Sequence, residues 1–394
     1  MLNLTKFTTA LLCLFFTACS SNKNNGTPAA SSTGLPPVET KQANTNYPPA
    51  FEGQTRISGV KTTTPIDSKV INSSLTRPWG IGVLPDGRLL VTEKAGSMRI
   101  ATTSGQLSEP ITGIPPVNAA GQGGLLGVTI DPAFTSNRMI YWTFAESTAN
   151  GNLTSAAKGT LAADEKRLEN VSIIYRATPA YNGTLHYGSR ILVDNTGNLL
   201  ISTGERSDLA TRPQAQDLNS ALGKIIRITK DGQPAPGNPY IGQANARPEI
   251  YSYGHRNVEG MAINPANGEI WISEMGPRGG DELNLIKPGL NYGWPTITYG
   301  IEYSGDKING GKTQQSGMEQ PVYYWDPVLS PGGMTFYSSN QIPEWTNNVF
   351  IAGLSSKHIA RLIINNNKVT GEERLLESEG QRFRDVVEGK DGAL

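Results

Sequence analysis

The chain has 394 residues, 34 basic and 34 acidic side chains, and therefore no formal net charge. No basic run stands out, which argues against nucleic-acid binding, a reaction driven by phosphate neutralisation. The two cysteines, Cys13 and Cys19, both fall near the start, so the rest of the chain has no disulfide and must be stable through core burial alone.

In chain order, Lys6 supplies a positive charge, residues 7–18 form a short apolar stretch, and Phe16-Thr-Ala-Cys19 closes it with small residues. The stretch is too short to cross a bilayer and reads as a signal peptide over residues 1–19. Its end resembles a bacterial lipobox, which implies a lipidated Cys19 and a periplasm-facing protein held at the cell envelope, at the outer membrane, by that anchor alone. An ordinary cleaved signal releasing a soluble secreted protein is the alternative. Residues 20–54 are rich in Ser, Asn, Thr and Pro with few large apolar side chains, and are expected to form a disordered tether. Such a segment of ~35 residues reaches roughly 30 to 35 Å.

From residue 55 onward one phrase returns: an apolar run, a turn of Asp, Asn and Gly, and a second apolar run. Copies occupy residues 80–92, 125–143, 190–202, 261–273, 334–352 and 384–394. A strand, a turn that tolerates positive φ and a second strand make a hairpin, and repetition at intervals of roughly 45 to 75 residues marks a propeller. The expectation is an all-β domain over residues 55–394, a six-bladed propeller of four-stranded antiparallel blades. The last copy stops at Gly392-Ala-Leu394 without a full second strand. This predicts that the final hairpin needs residues beyond those given.

Three histidines, His186, His255 and His358, follow the signal segment. His186 directly precedes a repeat strand and Glu205 follows its partner strand, so a hairpin brings them together. A carboxylate can then hold one imidazole nitrogen and leave the other as a base, although structural hydrogen bonding explains the same pairing. Tyr253-Gly-His-Arg256-Asn257 precedes the fourth repeat and Glu274-Met-Gly-Pro277-Arg-Gly-Gly-Asp-Glu282 follows its second strand. The second of these loops reads either as a plain turn or as a carbonyl-rich cradle for a hard cation such as calcium. Arg382 and Arg384, two apart, fall on one side of a strand. They suit a ligand with several carboxylates or phosphates, or form a solvated face.

Five motifs occur in order: Gly121-Gln-Gly-Gly-Leu-Leu-Gly127, Tyr253-Gly-His-Arg-Asn257, Glu274-Met-Gly-Pro-Arg-Gly-Gly-Asp-Glu282, Asn291-Tyr-Gly-Trp-Pro295 and Gln381-Arg-Phe-Arg-Asp385. Together they resemble the soluble aldose sugar dehydrogenases that use pyrroloquinoline quinone. The resemblance implies oxidation of an aldose at C1 to the lactone, by base-assisted hydride transfer to the quinone, with calcium. It implies His186 as general base, Glu205 as its orienting acid, and Arg256 and Asn257 at the reacting quinone carbonyl; the hydride chemistry itself calls for a base with a pKa near 7. Gly276 and Pro277 would offer carbonyls to calcium, Arg382 and Arg384 would grip the quinone carboxylates, and Gln122 and Trp325 would lie near the sugar. A cofactor-contacting lysine of the family falls opposite Ser355, with Lys357 as its expected substitute on the same strand face. Leu185 and Met275 stand where glucose-selective members have an acid and a glutamine, which points to the broad-specificity branch. The rival readings are a calcium-dependent lactonase and a non-catalytic carbohydrate-binding propeller. The electron acceptor is left open.

Overall fold

The structure, a computed structural model, describes residues 34–394; the expected signal segment and Cys19 lie outside them. Five antiparallel sheets follow one another along the chain, each built from consecutive strands. Their first strands, Pro78–Val83, Leu125–Ile130, Gly188–Val193, Val258–Ile263 and Pro331–Phe336, contact one another in that sequence. They form the inner wall of a propeller. The all-β expectation holds, but the blade count does not. There are five blades among the described residues, four of four strands and a first of three.

The sixth repeat accounts for the difference. Its turn forms, with Gly392 at φ 76° and the Gly389 N–H donating to the Ala393 carbonyl at 2.8 Å, but no ladder extends from it. Residues 382–386 instead run, outside any named strand, between the last and first inner strands. The Gly333 N–H donates to the Arg384 carbonyl at 2.9 Å and the Ile81 N–H to Asp385 Oδ2 at 3.0 Å. A Cβ on Gly332 would lie 2.3 Å from the Arg384 oxygen, so glycine is what allows this approach.

Every inner strand breaks register near its start, between Pro78 and Ile81, Leu125 and Val128, Gly188 and Ile191, Val258 and Gly260, and Pro331 and Met334. Such a bulge frees backbone groups and re-aims side chains. A hydroxyl on the neighbouring strand meets the freed groups. Thr143 Oγ1 accepts from the Gly127 N–H at 3.0 Å and donates to Ser189 O of the next blade at 2.6 Å. Thr92 does the same with Gly80 and Leu126, and Ser202 with Arg190 and Val258. These buried hydroxyls pin the first four blades, each to the next, at the end where the site lies. Between blades the core is apolar, as where Leu90, Met98, Trp142 and Phe144 pack together.

Residues 34–54, expected within the tether, lie along the propeller. Asp326 accepts from the Asn44 N–H at 2.8 Å and the Thr45 N–H at 3.1 Å, and buried Gln54 donates to Pro321 O at 2.9 Å. The composition argument weighed only apolar burial, whereas this strap is held by polar side chains and backbone.

Candidate active site

At the bulged ends of the inner strands, a cavity of about 440 Å³ is lined by Gln122, Met275, Arg382 and Arg384, with Trp79, Lys94 and Glu259. Arg382 and Arg384 therefore meet in one place, although a segment without regular secondary structure, not a strand, carries them. Arg382 is exposed. Arg384 pairs with Glu259 and its guanidinium lies 5.7 Å from the Trp79 ring.

Gln122 connects the cavity to the histidine. Its Oε1 accepts the His186 backbone N–H at 2.7 Å. The buried His186 ring lies with Nδ1 at 2.5 Å from Glu205 Oε1, which also accepts the Ser207 N–H at 3.0 Å. The hairpin ends thus meet as the spacing predicts. With Nδ1–H donating to the carboxylate, the neutral ring keeps its lone pair on Nε2, which makes no hydrogen bond among the described residues. Burial, then the nearby Arg256 charge, push the His186 pKa down to about 4 against the upward pull of Glu205. The expected value near 7 is therefore corrected: burial outweighs the carboxylate.

The other two histidines make different contacts. His255 bridges Ser252 Oγ at 2.8 Å and Glu274 Oε1 at 3.2 Å and stacks on Tyr292, and His358 lies against Ser356 O at 3.2 Å.

Arg256 and Asn257 stand between the histidine and the glycine-proline loop. Asn257 Oδ1 accepts the Gly188 N–H at 2.9 Å and its Nδ2 donates to Glu259 Oε1 at 3.0 Å. Arg256 Nη1 donates to Met275 O at 3.0 Å and Gly276 O at 2.6 Å, while its Nε is buried without a partner. Asp281 shapes the loop by accepting the N–H groups of Gly276, Leu329 and Ser330 at 2.7 to 2.8 Å. Pro277 packs against Gly300.

Two expected residues are not at the site. Lys357 is exposed, at φ 59°, in a loop between strands Val349–Gly353 and Ile359–Asn365. The period-two argument fails because Ser355 and Lys357 are not in a strand; Ser355 lines the cavity and Lys357 does not. Trp325 is buried in the core between blades, its indole N–H donating to Glu372 Oε1 at 3.0 Å. Lys94, Trp79 and Glu259 were not anticipated. A charged Glu259 inside the apolar run after Asn257 was the available signal.

Residues 75–394 match the family described as Glucose / Sorbosone dehydrogenase. The chain belongs to that family. As a family member it is an oxidoreductase acting on sugar donors. Among similar proteins, this dehydrogenase is 40% identical over 332 residues to Aldose sugar dehydrogenase YliI of Escherichia coli, covering 84% of this chain and 89% of that one. The apo-form crystal structure of the soluble aldose sugar dehydrogenase from Escherichia coli superposes with TM-score 0.79 at 40% identity, over 82% of this chain and 93% of that one. The PQQ-bound form of the enzyme from Streptomyces coelicolor does so with TM-score 0.67 at 31% identity, over 83% and 87%.

Proposed function

We propose that the cavity oxidises an aldose at C1 to its lactone, with His186 as general base, pyrroloquinoline quinone as cofactor and calcium as its partner ion. The observation that carries this reading is the buried His186–Glu205 contact of 2.5 Å, which leaves Nε2 as the free basic atom. A similar protein is described in its PQQ-bound form.

The residues present fit such a cofactor. Arg382 and Arg384 line one cavity and offer charge-assisted donors to carboxylates. Arg256 has a buried, unpartnered Nε, and Gly276 turns its carbonyl oxygen toward the Arg256 guanidinium. Gly276 and Pro277 would supply the calcium with carbonyl oxygens. When bound, the quinone supplies the two-electron acceptor. His186 Nε2 takes the proton from the C1 hydroxyl, which raises the tendency of C1 to release hydride, and Glu205 stabilises the imidazolium that forms. Arg256 adds positive charge where negative charge develops. The lipobox-like end at Cys19 is the basis for proposing a periplasm-facing lipid anchor. The lactonase reading requires side-chain carboxylates and amides around a metal; among the described residues no three His, Cys, Asp or Glu side chains form a metal-holding group, which favours the quinone reading.

Reconstitution of the protein with quinone and calcium, followed by dye reduction with an aldose, tests the proposal. The expected result is dye reduction dependent on both additions, with lactone as product. Lactone hydrolysis without quinone, or sugar binding without turnover under full loading, would contradict it.

A further inference from the structure

The loop that carries His186 is held in a conformation that an isolated chain would avoid. His186 sits at φ 47°, the left-handed region that disfavours side chains larger than glycine. Such a residue persists only when its surroundings hold it there.

One side chain grips this loop at three points, alongside the Gln122 contact to the His186 N–H. Arg206, immediately after Glu205, is buried and reaches back across the loop. Its Nε donates to Leu185 O at 3.0 Å, Nη2 to Gly183 O at 2.6 Å and to Asn152 Oδ1 at 2.6 Å, and Nη1 to Asn152 O at 2.9 Å. Its guanidinium also lies 4.0 Å from the Tyr187 ring. Carbonyls at 183 and 185 and the ring at 187 are thus gripped by one rigid fork, with His186 between them. Tyr187 closes the arrangement by donating from its hydroxyl to Asn152 Oδ1 at 2.6 Å.

We propose that Arg206 is a positioning residue for His186: it fixes the loop 183–187 so that the imidazole meets Glu205 and presents Nε2 to the sugar. The adjacent pair Glu205-Arg206 then acts as one device, the carboxylate orienting the ring and the guanidinium orienting its backbone. A planar fork with five donors can span several acceptors at once, which a lysine ammonium cannot. Guanidinium and imidazole also interact through charge. Glu205 and Arg206 face the ring from one strand end and Arg256 from the next blade; both arginines disfavour the imidazolium and Glu205 favours it.

This inference rests on His186 as base, so His186→Ala is measured in parallel. The variants are Arg206→Gln and Arg206→Lys in the quinone-loaded protein, with quinone affinity, kcat and the imidazole NMR titration of His186 as readouts. Misplacement of a reacting group costs about 10²-fold. Arg206→Gln should therefore lower kcat by about 10- to 100-fold, leave quinone affinity within about threefold and move the His186 titration to higher pH as a cationic neighbour is lost. Arg206→Lys keeps the charge but not the fork, so it should lose turnover with little movement of the titration, and it serves alone if Arg206→Gln does not fold. Wild-type kcat in a folded Arg206→Lys or Arg206→Gln protein, or a loss that merely tracks lost cofactor loading, overturns the proposal. A fully active His186→Ala removes the base reading instead.

Discussion

His186 is buried and neutral over most of the accessible pH range, and this sets the expected pH dependence of turnover. Protonation removes the Nε2 lone pair, so activity is lost as pH falls through the histidine pKa, here about 4, and is independent of this group above it. The kcat/KM profile, which reports groups of the free enzyme, should therefore show its acid limb well below neutrality, and a limb near neutrality would assign the rate to another group. Glu205→Gln should slow turnover less than His186→Ala, because the ring stays in its pocket. The two cavity arginines should differ. Arg384 is the cationic partner of Glu259, so Arg384→Ala leaves that carboxylate at the cavity wall with only Asn257 as a donor, whereas Arg382→Ala removes an exposed donor. A charge-assisted contact contributes roughly 1.5 to 3 kcal/mol, so each change should weaken quinone affinity at least about tenfold by titration, with Arg384→Ala the more damaging. The His186–Glu205 meeting was legible because hairpin geometry dictates it. Glu259 was legible only as a charge out of place in an apolar run, because its partner Arg384 lies on a distant segment joined to it only in space. Lys357 was misplaced because a strand period was carried into a loop.

At the scale of strands, the hydroxyls of Thr92, Thr143 and Ser202 join the first four blades in turn while capping the bulge of their own. The repeating pattern of apolar runs revealed the hairpins but not these bulges, since one extra residue in a strand leaves little trace in periodicity. Thr143→Val tests their contribution. It keeps the shape of the side chain but strands the Gly127 N–H and the Ser189 carbonyl in a buried setting. An unsatisfied buried polar group costs about 1 to 3 kcal/mol, so the variant should unfold at lower denaturant, with an unchanged slope. Stability equal to wild type would show that the bulge is satisfied in another way. The sixth repeat shows the opposite limit of sequence patterning. Its turn residues do form a turn, yet the preceding segment is recruited between two inner strands, and Arg382 and Arg384 reach the cavity as part of that wall.

Across the whole molecule, the strap of residues 34–54 and the propeller share a polar seam centred on Asp326. Asp326→Ala removes acceptors for Asn44 and Thr45 and should expose the strap to limited proteolysis well below the unfolding midpoint, while the propeller stays intact; unchanged protection would place the strap's stability elsewhere. Composition predicted disorder there because hydrogen bonds to a distant surface cannot be read from local hydrophobicity. The ring of inner strands, the cavity at its bulged end and the buried imidazole beside that cavity all converge on one claim, that His186 is the base of a quinone-dependent sugar oxidation. The most direct measurement is the rate of dye reduction by His186→Ala at matched quinone loading. A general base contributes about 10² to 10⁴ in rate, so turnover should fall by that factor while quinone affinity is retained. Wild-type turnover by the fully loaded variant would contradict the account.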